Sequence, residues 1–366
     1  MSTDLPEPLL FERFPILRGV MPFRRLGNPN TPVERLRGVG AETGRDVWIK
    51  RDDLYGNPGG GKVRKLEFSL AAALSRGKKS LITFGPLGSN HVAATAVHAR
   101  RLGISTLGIL VTQPVQHYVR DNLARSCGSA QIRFTRWSAT VPILAMRMWL
   151  RERRITGASP AILGPGGTSI AGMLGYVEAA LEIARDVRLD RFPKPDYIFV
   201  PAGTCGALAG LTAGLRIANL DVTPVGVRVC SRLSCNARTT AWLANRVLGY
   251  LRDCGAEFRS QRIRARDVVM LHGFCGKGYG HATEAGTEAM RLALESDGVR
   301  LDATYTGKAL AGLIEFMSAE RHERARALLV NTWAPPIAEC PDAGEKQIPA
   351  HIHAWLSSRE AAKGLL

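Results

Sequence analysis

Two lysines that follow a run of glycines are the strongest candidates for chemistry in this sequence. Residues 59–68 read GGGKVRKLEF, which places Lys62 at the predicted start of a helix and Lys65 one turn later. Glycines let the backbone take positive φ angles and let a flat ligand approach closely. A lysine in a cationic, partly desolvated place has a depressed pKa and becomes a competent amine nucleophile. The stretch therefore predicts either a reactive amine or, alternatively, a glycine-rich surface loop beside a basic patch.

Two further glycine-containing turns join a predicted strand to a predicted helix. Residues 200–211 read VPAGTCGALAGL, and backbone N–H groups at such a helix N-terminus cradle phosphate. The stretch has neither the closing G-K-[ST] of a Walker loop nor the glycine spacing of the dinucleotide fingerprint. Residues 85–91 read GPLGSNH, where Ser89, Asn90 and the nearby amides offer a carboxylate site. Tight strand–helix packing is the alternative for the first turn, and an ordinary helix cap is the alternative for the second.

The elements that must position these residues alternate along the chain between short β-rich runs and longer amphipathic segments. We predict strands at 47–50, 80–85, 105–111, 131–135, 196–203, 222–229 and 327–331, and one that ends in AILGPGG (161–167). We predict helices at 66–76, 90–102, 116–125, 169–187 and 207–218, one containing MWLRERR (148–154), and others after Ser234 and Thr283. This alternation is typical of α/β proteins with open, mainly parallel sheets and helices on both faces. The number of strands exceeds one simple sheet, so we expect two lobes with a ligand site between them, near the carboxyl ends of the strands.

Composition limits the function classes. The 366 residues are 45% hydrophobic and 22% charged, which excludes global disorder. The net charge of +17 attracts anions of many kinds, including nucleic acid, but the basic runs contain no recognised nucleic-acid module and no interleaved aromatic stripe. We interpret them as solvated basic faces and expect no nucleic-acid partner.

Cysteine and histidine spacing predicts no metal site. The seven cysteines are odd in number and match no zinc or redox signature, and HIH at 351–353 lacks an acidic or cysteine partner at a known spacing. The start, MSTDLPEPLLFERF, lacks the basic start and apolar run of a signal peptide, and no stretch has about 18 apolar residues. We expect a cytoplasmic protein with free thiols and no membrane partner.

The three glycine-containing stretches are joined by three more: GPGGTSIAGMLGYVEAALEI (164–183), GKGYGHATEAG (276–286) and TYTGKALAGL (304–313). In order and spacing, the six resemble the family of pyridoxal-phosphate (PLP) enzymes that contains D-cysteine desulfhydrase and 1-aminocyclopropane-1-carboxylate (ACC) deaminase. The resemblance runs from about residue 31 to residue 332. It implies the tryptophan-synthase-β fold (PLP fold type II), usually a homodimer. We expect a large PLP-binding lobe formed by residues 1–64 and 176–366, with a smaller lobe, residues 65–175, inserted in it.

The resemblance also implies which residues hold the cofactor. Lys62 matches the lysine that forms the Schiff base with PLP, and Lys65 matches a lysine near the phosphate. Asn90 matches the asparagine bonded to the 3′-oxygen, and Thr306 matches the position that faces the pyridine nitrogen. The phosphate loop is matched by Gly203, Thr204, Cys205, Gly206 and Ala207.

The substrate side is implied in the same way. Ser89 matches a serine beside the substrate, with the amides of Ser89, Asn90 and His91 near its carboxylate. Tyr279 and Tyr305 match two tyrosines that face the cofactor and the substrate.

Two positions favour the desulfhydrase side of the family. Deaminase-like sequences carry Gln where this chain has His91 and Glu where it has Thr306. A carboxylate beside the ring nitrogen makes the ring a strong electron sink, which opening a cyclopropane needs, whereas a threonine suits loss of a good leaving group. The hypothesis is α,β-elimination from a small β-substituted amino acid to a 2-oxo acid and ammonia. Lys62 then acts as the base at Cα, while Ser89, Tyr279 or Tyr305 position the substrate or move protons.

The chain also departs from the family pattern. Where a His-Thr followed by Gly-Gly is expected, it reads Asn331-Thr332-Trp333-Ala334, which places Trp333 among the expected substrate contacts. Cys205 and Ala207 stand where a glycine and a threonine are common, and Gly88 stands where glutamine is frequent. The substrate and its stereochemistry therefore stay open, as do three alternatives: a β-replacing synthase, ACC deaminase-like ring opening, and a PLP-binding protein without turnover.

Overall fold

A computed structural model describes residues 6–115, 117–259, 262–334 and 348–358. Ten strands form two sheets, one of six strands and one of four. The strands are β1 (Val33–Arg35), β2 (Asp46–Lys50), β3 (Ser80–Pro86), β4 (Ser105–Val111), β5 (Gln131–Thr135), β6 (Ala161–Leu163), β7 (Tyr197–Ala202), β8 (Thr223–Arg228), β9 (Val269–Leu271) and β10 (Arg326–Val330).

Helices cover these sheets. They are α1 (Leu9–Arg13), α2 (Leu17–Val20), α3 (Arg37–Thr43), α4 (Lys62–Ser75), α5 (Asn90–Arg101), α6 (His117–Ser129), α7 (Val141–Thr156), α8 (Ile170–Arg188), α9 (Gly206–Ala218), α10 (Ala237–Asp253), α11 (Glu284–Asp297), α12 (Thr306–Met317) and α13 (Ala350–Leu356). Within the described ranges, none of these helices has the length and apolar content needed to cross a bilayer.

The six-stranded sheet has the order β1-β2-β10-β7-β8-β9 and is parallel except for β1, which pairs antiparallel with β2. Its central strands are apolar on both faces, as in Leu328 and Leu329 of β10, both fully buried. A parallel sheet covered by helices on both sides requires such continuous apolar runs. The four-stranded sheet has the order β5-β4-β3-β6 and is parallel throughout. The prediction of a two-sheet α/β fold is confirmed.

Small residues bring α8 and α9 close together. A Cβ added at Gly210 would lie 2.3 Å from the carbonyl oxygen of Met173, and one at Gly214 would lie 2.7 Å from that of Val177. Larger side chains would push α9 away from α8, since backbone cannot yield as a flexible side chain does. This seam therefore fixes the start of α9 and the loop that precedes it.

The predicted elements agree with the structure within a few residues, with some exceptions. Strands β1 and β9 and helices α1–α3, α12 and α13 were not predicted, and α4 begins at Lys62 rather than at Leu66. The predicted helix at 116–125 begins at a residue outside the described part of the chain, and α6 is described from His117. The predicted lobe boundaries at 64/65 and 175/176 fall inside α4 and α8. That division stays a prediction.

Candidate active site

A cavity of about 280 Å³ lies at the carboxyl ends of strands from both sheets. Residues at the ends of β3 and β4 line one side, and residues at or after the ends of β7, β8 and β10 line the other. This is where open α/β sheets place their ligand sites. The sequence-predicted residues that line it are Lys62, Lys65, Ser89, His91, Gly203, Thr204, Cys205, Gly206, Ala207, Tyr279 and Tyr305. Asn90, Thr306 and Trp333 are not among the residues that line it.

Lys62 is the first residue of α4 and lines this cavity. Burial lowers the pKa of its amine, an effect that Asp302 opposes. The ammonium nitrogen lies 5.5 Å from the centre of the Tyr305 ring. A lysine with a lowered pKa carries a larger fraction of neutral amine, so Lys62 is suited to act as a nucleophile or a base.

The glycines before Lys62 admit backbone rather than ligand. Gly60 has φ of +48°, and a Cβ added there would lie 1.9 Å from the carbonyl oxygen of Trp333. A Cβ at Gly61 would lie 2.8 Å from the Tyr176 hydroxyl and 3.5 Å from Cα of Thr332. The segment 331–334, whose sequence differs from the family pattern, therefore packs directly on the glycines at 60 and 61. Trp333 lines a neighbouring cavity of about 80 Å³ instead of intruding on the larger one.

Lys65 lies one turn after Lys62 and is buried. Its ammonium donates a hydrogen bond to the carbonyl oxygen of Gly166 at 3.0 Å and lies 5.7 Å from the centre of the Tyr176 ring. Burial, followed by repulsion from Lys62, lowers its pKa well below the ordinary value, and Cys205 opposes this shift. An incoming anion would oppose the same shift and would be stabilised by the charge.

Buried ion pairs hold the start of α4 in place. Arg64 is fully buried and donates hydrogen bonds to Asp52 and Glu182 at 2.7–2.9 Å. Lys50 lies 3.0 Å from a Glu182 oxygen. Burial alone would raise the pKa of Glu182, but Arg64 and Lys50 outweigh burial and hold it below its ordinary value. The charged residues around Lys62 therefore stabilise the fold, a role that was not predicted from the sequence.

The loop 203–207 joins β7 to α9 and offers unpaired amides to the cavity. In the described part of the chain, the backbone N–H groups of residues 203–208 donate to no acceptor. Cys205 takes the left-handed conformation with φ of +60°. A Cβ added at Gly206 would lie 2.5 Å from the Thr168 hydroxyl, which itself lies 2.6 Å from the Thr204 hydroxyl. Free amides at the N-terminus of a 13-residue helix form an anion site.

A second helix start, that of α5, reaches the cavity from the four-stranded sheet. The Ser89 hydroxyl caps the helix by accepting from the Val92 amide at 3.2 Å, as the sequence predicted. The amides of Asn90 and His91 have no acceptor among the described residues. The side chain of Asn90 turns away, and its oxygen accepts a hydrogen bond from Asn122. The backbone N–H groups at this end of α5 are therefore free to bind an anion, whereas the side-chain oxygen of Asn90 is bonded to Asn122.

His91 lines the cavity but its ring is engaged on both sides. Its Nε2 lies 3.1 Å from the Thr83 hydroxyl, and its Nδ1 lies 3.4 Å from the Thr95 hydroxyl. Burial, followed by the charges of Lys62 and Lys65, lowers the pKa of His91 to about 3. The imidazole is therefore neutral at ordinary pH and adds no charge to the site.

Two tyrosines, Tyr279 and Tyr305, also line the cavity. The hydroxyls of Tyr279 and Tyr305 lie 2.7 Å apart, and their rings meet edge to face at 5.8 Å. Burial raises the pKa of both phenols, so each keeps its proton at ordinary pH. Two phenols in one hydrogen bond can donate only one of their two protons to each other, which leaves the other available to a ligand.

Thr306 begins α12 beneath these tyrosines and is fully buried. Its hydroxyl donates to a carboxylate oxygen of Asp302 at 2.9 Å and accepts from the Asp302 amide at 2.8 Å. Asp302 also accepts from the amides of Thr304 and Tyr305. Asp302 was not predicted; it lies three residues before Tyr305, the N-cap of α12, and its carboxylate accepts from the backbone that leads into the helix.

Other residues of the cavity were also not predicted. Tyr176 and Cys230 line it, Tyr176 from α8 and Cys230 from the segment after β8. Among the described residues, no group of three or more histidine, cysteine or acidic side chains could hold a metal ion, and this includes His351 and His353 of α13.

Comparisons with known proteins identify the family of this chain. The family model described as "Pyridoxal-phosphate dependent enzyme" matches residues 24–332. A D-cysteine desulfhydrase of Salmonella paratyphi B is 32% identical over 318 residues, which cover 85% of this chain and 93% of the relative. A crystal structure of an ACC deaminase homologue is 30% identical with a TM-score of 0.73, covering 89% of this chain and 95% of the other.

A more distant structure, maize serine racemase, is 15% identical with a TM-score of 0.58 and covers 90% of this chain and 92% of the other. That likeness concerns the fold alone. The family model, by contrast, spans most of the chain, and the desulfhydrase aligns over nearly its whole length. The chain therefore belongs to the pyridoxal-phosphate dependent enzymes, and its cofactor is pyridoxal 5′-phosphate.

Proposed function

We propose that this enzyme catalyses α,β-elimination from a small β-substituted amino acid, as a D-cysteine desulfhydrase does, and yields a 2-oxo acid and ammonia. The observation that carries the proposal is one geometry: the Lys62 amine and the Tyr279–Tyr305 pair line the same enclosed cavity as the free amides of the 203–207 loop. The printed name of the 32% identical relative supports the same reaction.

The residues present fit the cofactor. The free amides of residues 203–208 and the positive end of α9 suit its phosphate, and the ammonium of Lys65 lies beside Gly166, which packs on Thr204. Lys62 offers the amine for covalent attachment, with a pKa that burial has lowered. Bound pyridoxal phosphate supplies an electron sink that withdraws electrons from Cα of the substrate.

We propose that Lys62 removes the Cα proton. Its lowered pKa keeps a fraction of the amine neutral, and a general base works best when its pKa lies near the operating pH. Because Arg64, two residues later, is fixed by four hydrogen bonds to buried carboxylates, the start of α4 is rigid. The Lys62 amine therefore projects into the cavity from a fixed part of the backbone.

We propose that the tyrosine pair moves the second proton. Burial keeps Tyr279 and Tyr305 protonated, and their hydroxyls share one hydrogen bond of 2.7 Å. A phenol held this way donates a proton to a departing sulfur or oxygen and regains one through its neighbour. Elimination from a β-carbon needs such a donor unless the leaving group departs as a stable anion.

We propose that the start of α5 binds the substrate carboxylate. The Asn90 and His91 amides have no acceptor among the described residues, and the Ser89 hydroxyl lies at the same end of the helix. The neutral His91 ring leaves this end free of competing charge. Thr306 is buried with its hydroxyl bonded to Asp302 and does not line the cavity, and we keep it as the residue that would face the ring nitrogen only on the strength of the resemblance.

A substrate panel tests the proposal. Purified enzyme is incubated with D- and L-cysteine, chlorinated and sulfonated alanines and ACC, and keto acid is measured with and without an added thiol. Keto acid from a β-substituted amino acid is the expected result, and it should disappear in Lys62→Ala but persist in Lys79→Ala, a control at an exposed lysine. A thioether product that forms only with added thiol would indicate a β-replacing synthase, and keto acid from ACC alone would indicate ring opening. Bound cofactor with no product from any compound would contradict turnover.

We further propose a homodimer in the cytoplasm with no nucleic-acid or membrane partner. The six cysteines in the described ranges are all free thiols, which supports a reducing compartment. Apolar side chains exposed on α7, namely Ile143, Met146, Leu150 and Ile155, support association with a second copy. Light scattering on the purified protein tests the dimer, and a nucleic-acid binding assay at physiological salt tests the partner prediction.

The two lobes are proposed as the sequence analysis placed them. All strands of the four-stranded sheet lie between residues 80 and 163, which supports an inserted lobe at 65–175. Limited proteolysis that cuts first near its two ends would agree with this division.

A further inference from the structure

Three thiols pack around the 203–207 loop. The sulfur of Cys205, within the loop, lies 3.5 Å from that of Cys235. The Cys235 thiol donates to the carbonyl oxygen of Ala202 at 3.1 Å, and the Cys230 thiol donates to that of Gly203 at 2.7 Å. Cysteine side chains therefore pack against the loop that would hold the cofactor phosphate, and the proposed elimination uses none of their sulfurs.

These thiols differ in how a reagent can reach them. Cys205 and Cys235 are 1% and 0% exposed, so neither is open to the outer surface. Cys205 nevertheless lines the 280 Å³ cavity, whereas Cys235 is not among the residues that line it. A small molecule that enters the cavity therefore meets Cys205 first, with Cys235 directly behind it.

The two sulfurs also differ in acidity. The hydrogen bond with the Cys235 thiol lowers the pKa of Cys205 to about 7, against the opposing effect of burial, and Thr240 and Lys65 add to the lowering. The same interactions, with Cys205 and Cys230, raise the pKa of Cys235. The pair thus consists of a thiolate-forming sulfur on the cavity side and a protonated sulfur behind it, which is the arrangement of an attacking and a resolving cysteine.

We propose that Cys205 and Cys235 form a modification site for two-electron oxidants such as hydrogen peroxide, at which the two sulfurs become a disulfide beneath the 203–207 loop. The Cys205 thiolate attacks one peroxide oxygen, the O–O bond breaks, and the leaving hydroxide takes up the proton that Cys205 released on ionising, so that a sulfenic acid and water result. The Cys235 sulfur then displaces the hydroxyl group from Cys205, and its own proton leaves with that hydroxyl as a second water. Two thiols are oxidised by two electrons, and one peroxide is reduced to two waters.

Bound cofactor should protect this site. Closing the bond brings the sulfurs from 3.5 Å to about 2 Å, which displaces the loop. A phosphate on the loop amides would occupy the approach to Cys205 and, as an anion, would disfavour its thiolate. Oxidation should therefore be at least about tenfold slower in the cofactor-loaded enzyme, a factor equal to one unit of cysteine pKa. This protection rests on the proposed phosphate position, but formation of the disulfide does not.

Peptide mapping tests the bond directly. Trypsin separates the three cysteines into residues 192–216, 229–232 and 233–238, since arginines flank each segment. Cofactor-free and cofactor-loaded protein are each treated with one equivalent of hydrogen peroxide, alkylated and digested without reductant. The expected product joins 192–216 to 233–238, forms faster in the cofactor-free protein, and disappears after a dithiol is added. Free thiols throughout, or a bond from 192–216 to 229–232, would overturn the proposal.

Variants separate this site from general oxidation and from the proposed function. Cys235→Ser and Cys235→Ala should both lose the linked peptide, and thermal melting of each shows that the loss is not unfolding. Cys127→Ser, a cysteine on α6 whose pKa burial raises to about 11, should leave the linked peptide unchanged. A linked peptide that forms equally fast with and without cofactor overturns the phosphate position and the route through the cavity. If the unmodified enzyme forms the linked peptide as expected but shows no elimination activity, the disulfide proposal is supported and only the proposed reaction is contradicted.

Discussion

Replacing Arg64 by methionine should destabilise this protein far more than a surface change of the same kind. Arg64 is fully buried and makes four hydrogen bonds of 2.7–2.9 Å to Asp52 and Glu182, and its guanidinium lies 3.9 Å from the centre of the Tyr55 ring. Methionine keeps most of the volume but removes the charge. Two carboxylates would then share a dry site with Lys50 as the nearest remaining cation.

The magnitude follows from that unbalanced charge. Removing one partner of a buried ion pair costs about 3–5 kcal/mol, because the remaining charge keeps its desolvation penalty without its compensation. A domain protein has about 5–15 kcal/mol in total, so Arg64→Met should lose a large part of its stability. Replacing Arg64 and Glu182 together by methionine should cost less than the sum of the two single changes, since the double variant buries fewer unpaired charges.

Urea denaturation followed by circular dichroism measures these differences. The matched control is Arg291→Met on α11, which removes an arginine paired with Glu288 and Glu295 at a fully exposed site and should leave the midpoint unchanged. Arg64→Met should also lower the affinity for pyridoxal phosphate, since Lys62 lies two residues away. Equal midpoints for Arg64→Met and Arg291→Met would refute the assignment of a structural role to the buried network.

Two further predictions concern stability. Burial, reinforced by Glu182, raises the pKa of Glu178 to about 7, so the folded chain keeps a proton that the unfolded chain loses above its ordinary pKa of 4.5. The contribution of Glu178 to the free energy of unfolding therefore decreases as the pH rises from about 4.5 to 7. In Glu178→Gln, the free energy of unfolding should decrease over this range by about 3 kcal/mol less than in the unmodified protein, as measured by denaturation at several pH values. Parallel pH dependences for the two proteins would contradict this prediction. Gly60→Ala should cost at least about 2 kcal/mol, because its Cβ would meet the Trp333 carbonyl at a left-handed φ, whereas Gly249→Ala in the open middle of α10 should add about 0.5–1 kcal/mol. Thermal melting compares the two, and shifts in the same direction would count against this reasoning.

Sequence reasoning located most of the candidate site because its signals are local. A strand, a glycine turn and a helix start at 196–218 and again at 80–101 bring free amides to the same edge of their sheets, and both turns line the cavity. Lys62 and Lys65 are one helical turn apart, so their common orientation needed no tertiary information. The two tyrosines were found through the resemblance alone, since nothing near them in sequence shows that their hydroxyls meet.

What the sequence could not show depends on contacts between distant segments. Glu182 and Arg64 are 118 residues apart, and only the folded chain reveals that one neutralises the other. The glycines at 60 and 61 were expected to admit a ligand, but they admit the backbone of residues 332–334, a pairing of segments that are about 270 residues apart. Short elements such as β1 and β9, of three residues each, carry too little pattern to be predicted.

The most direct test of Lys62 as the cofactor-binding lysine is to locate the residue to which pyridoxal phosphate is covalently attached. The cofactor-loaded protein is reduced with borohydride and digested, and the pyridoxyl group is located by mass spectrometry. We expect the label on Lys62 alone and none on Lys65, one helical turn away. A label on any other lysine, or full retention of visible cofactor absorbance in Lys62→Ala, would contradict it.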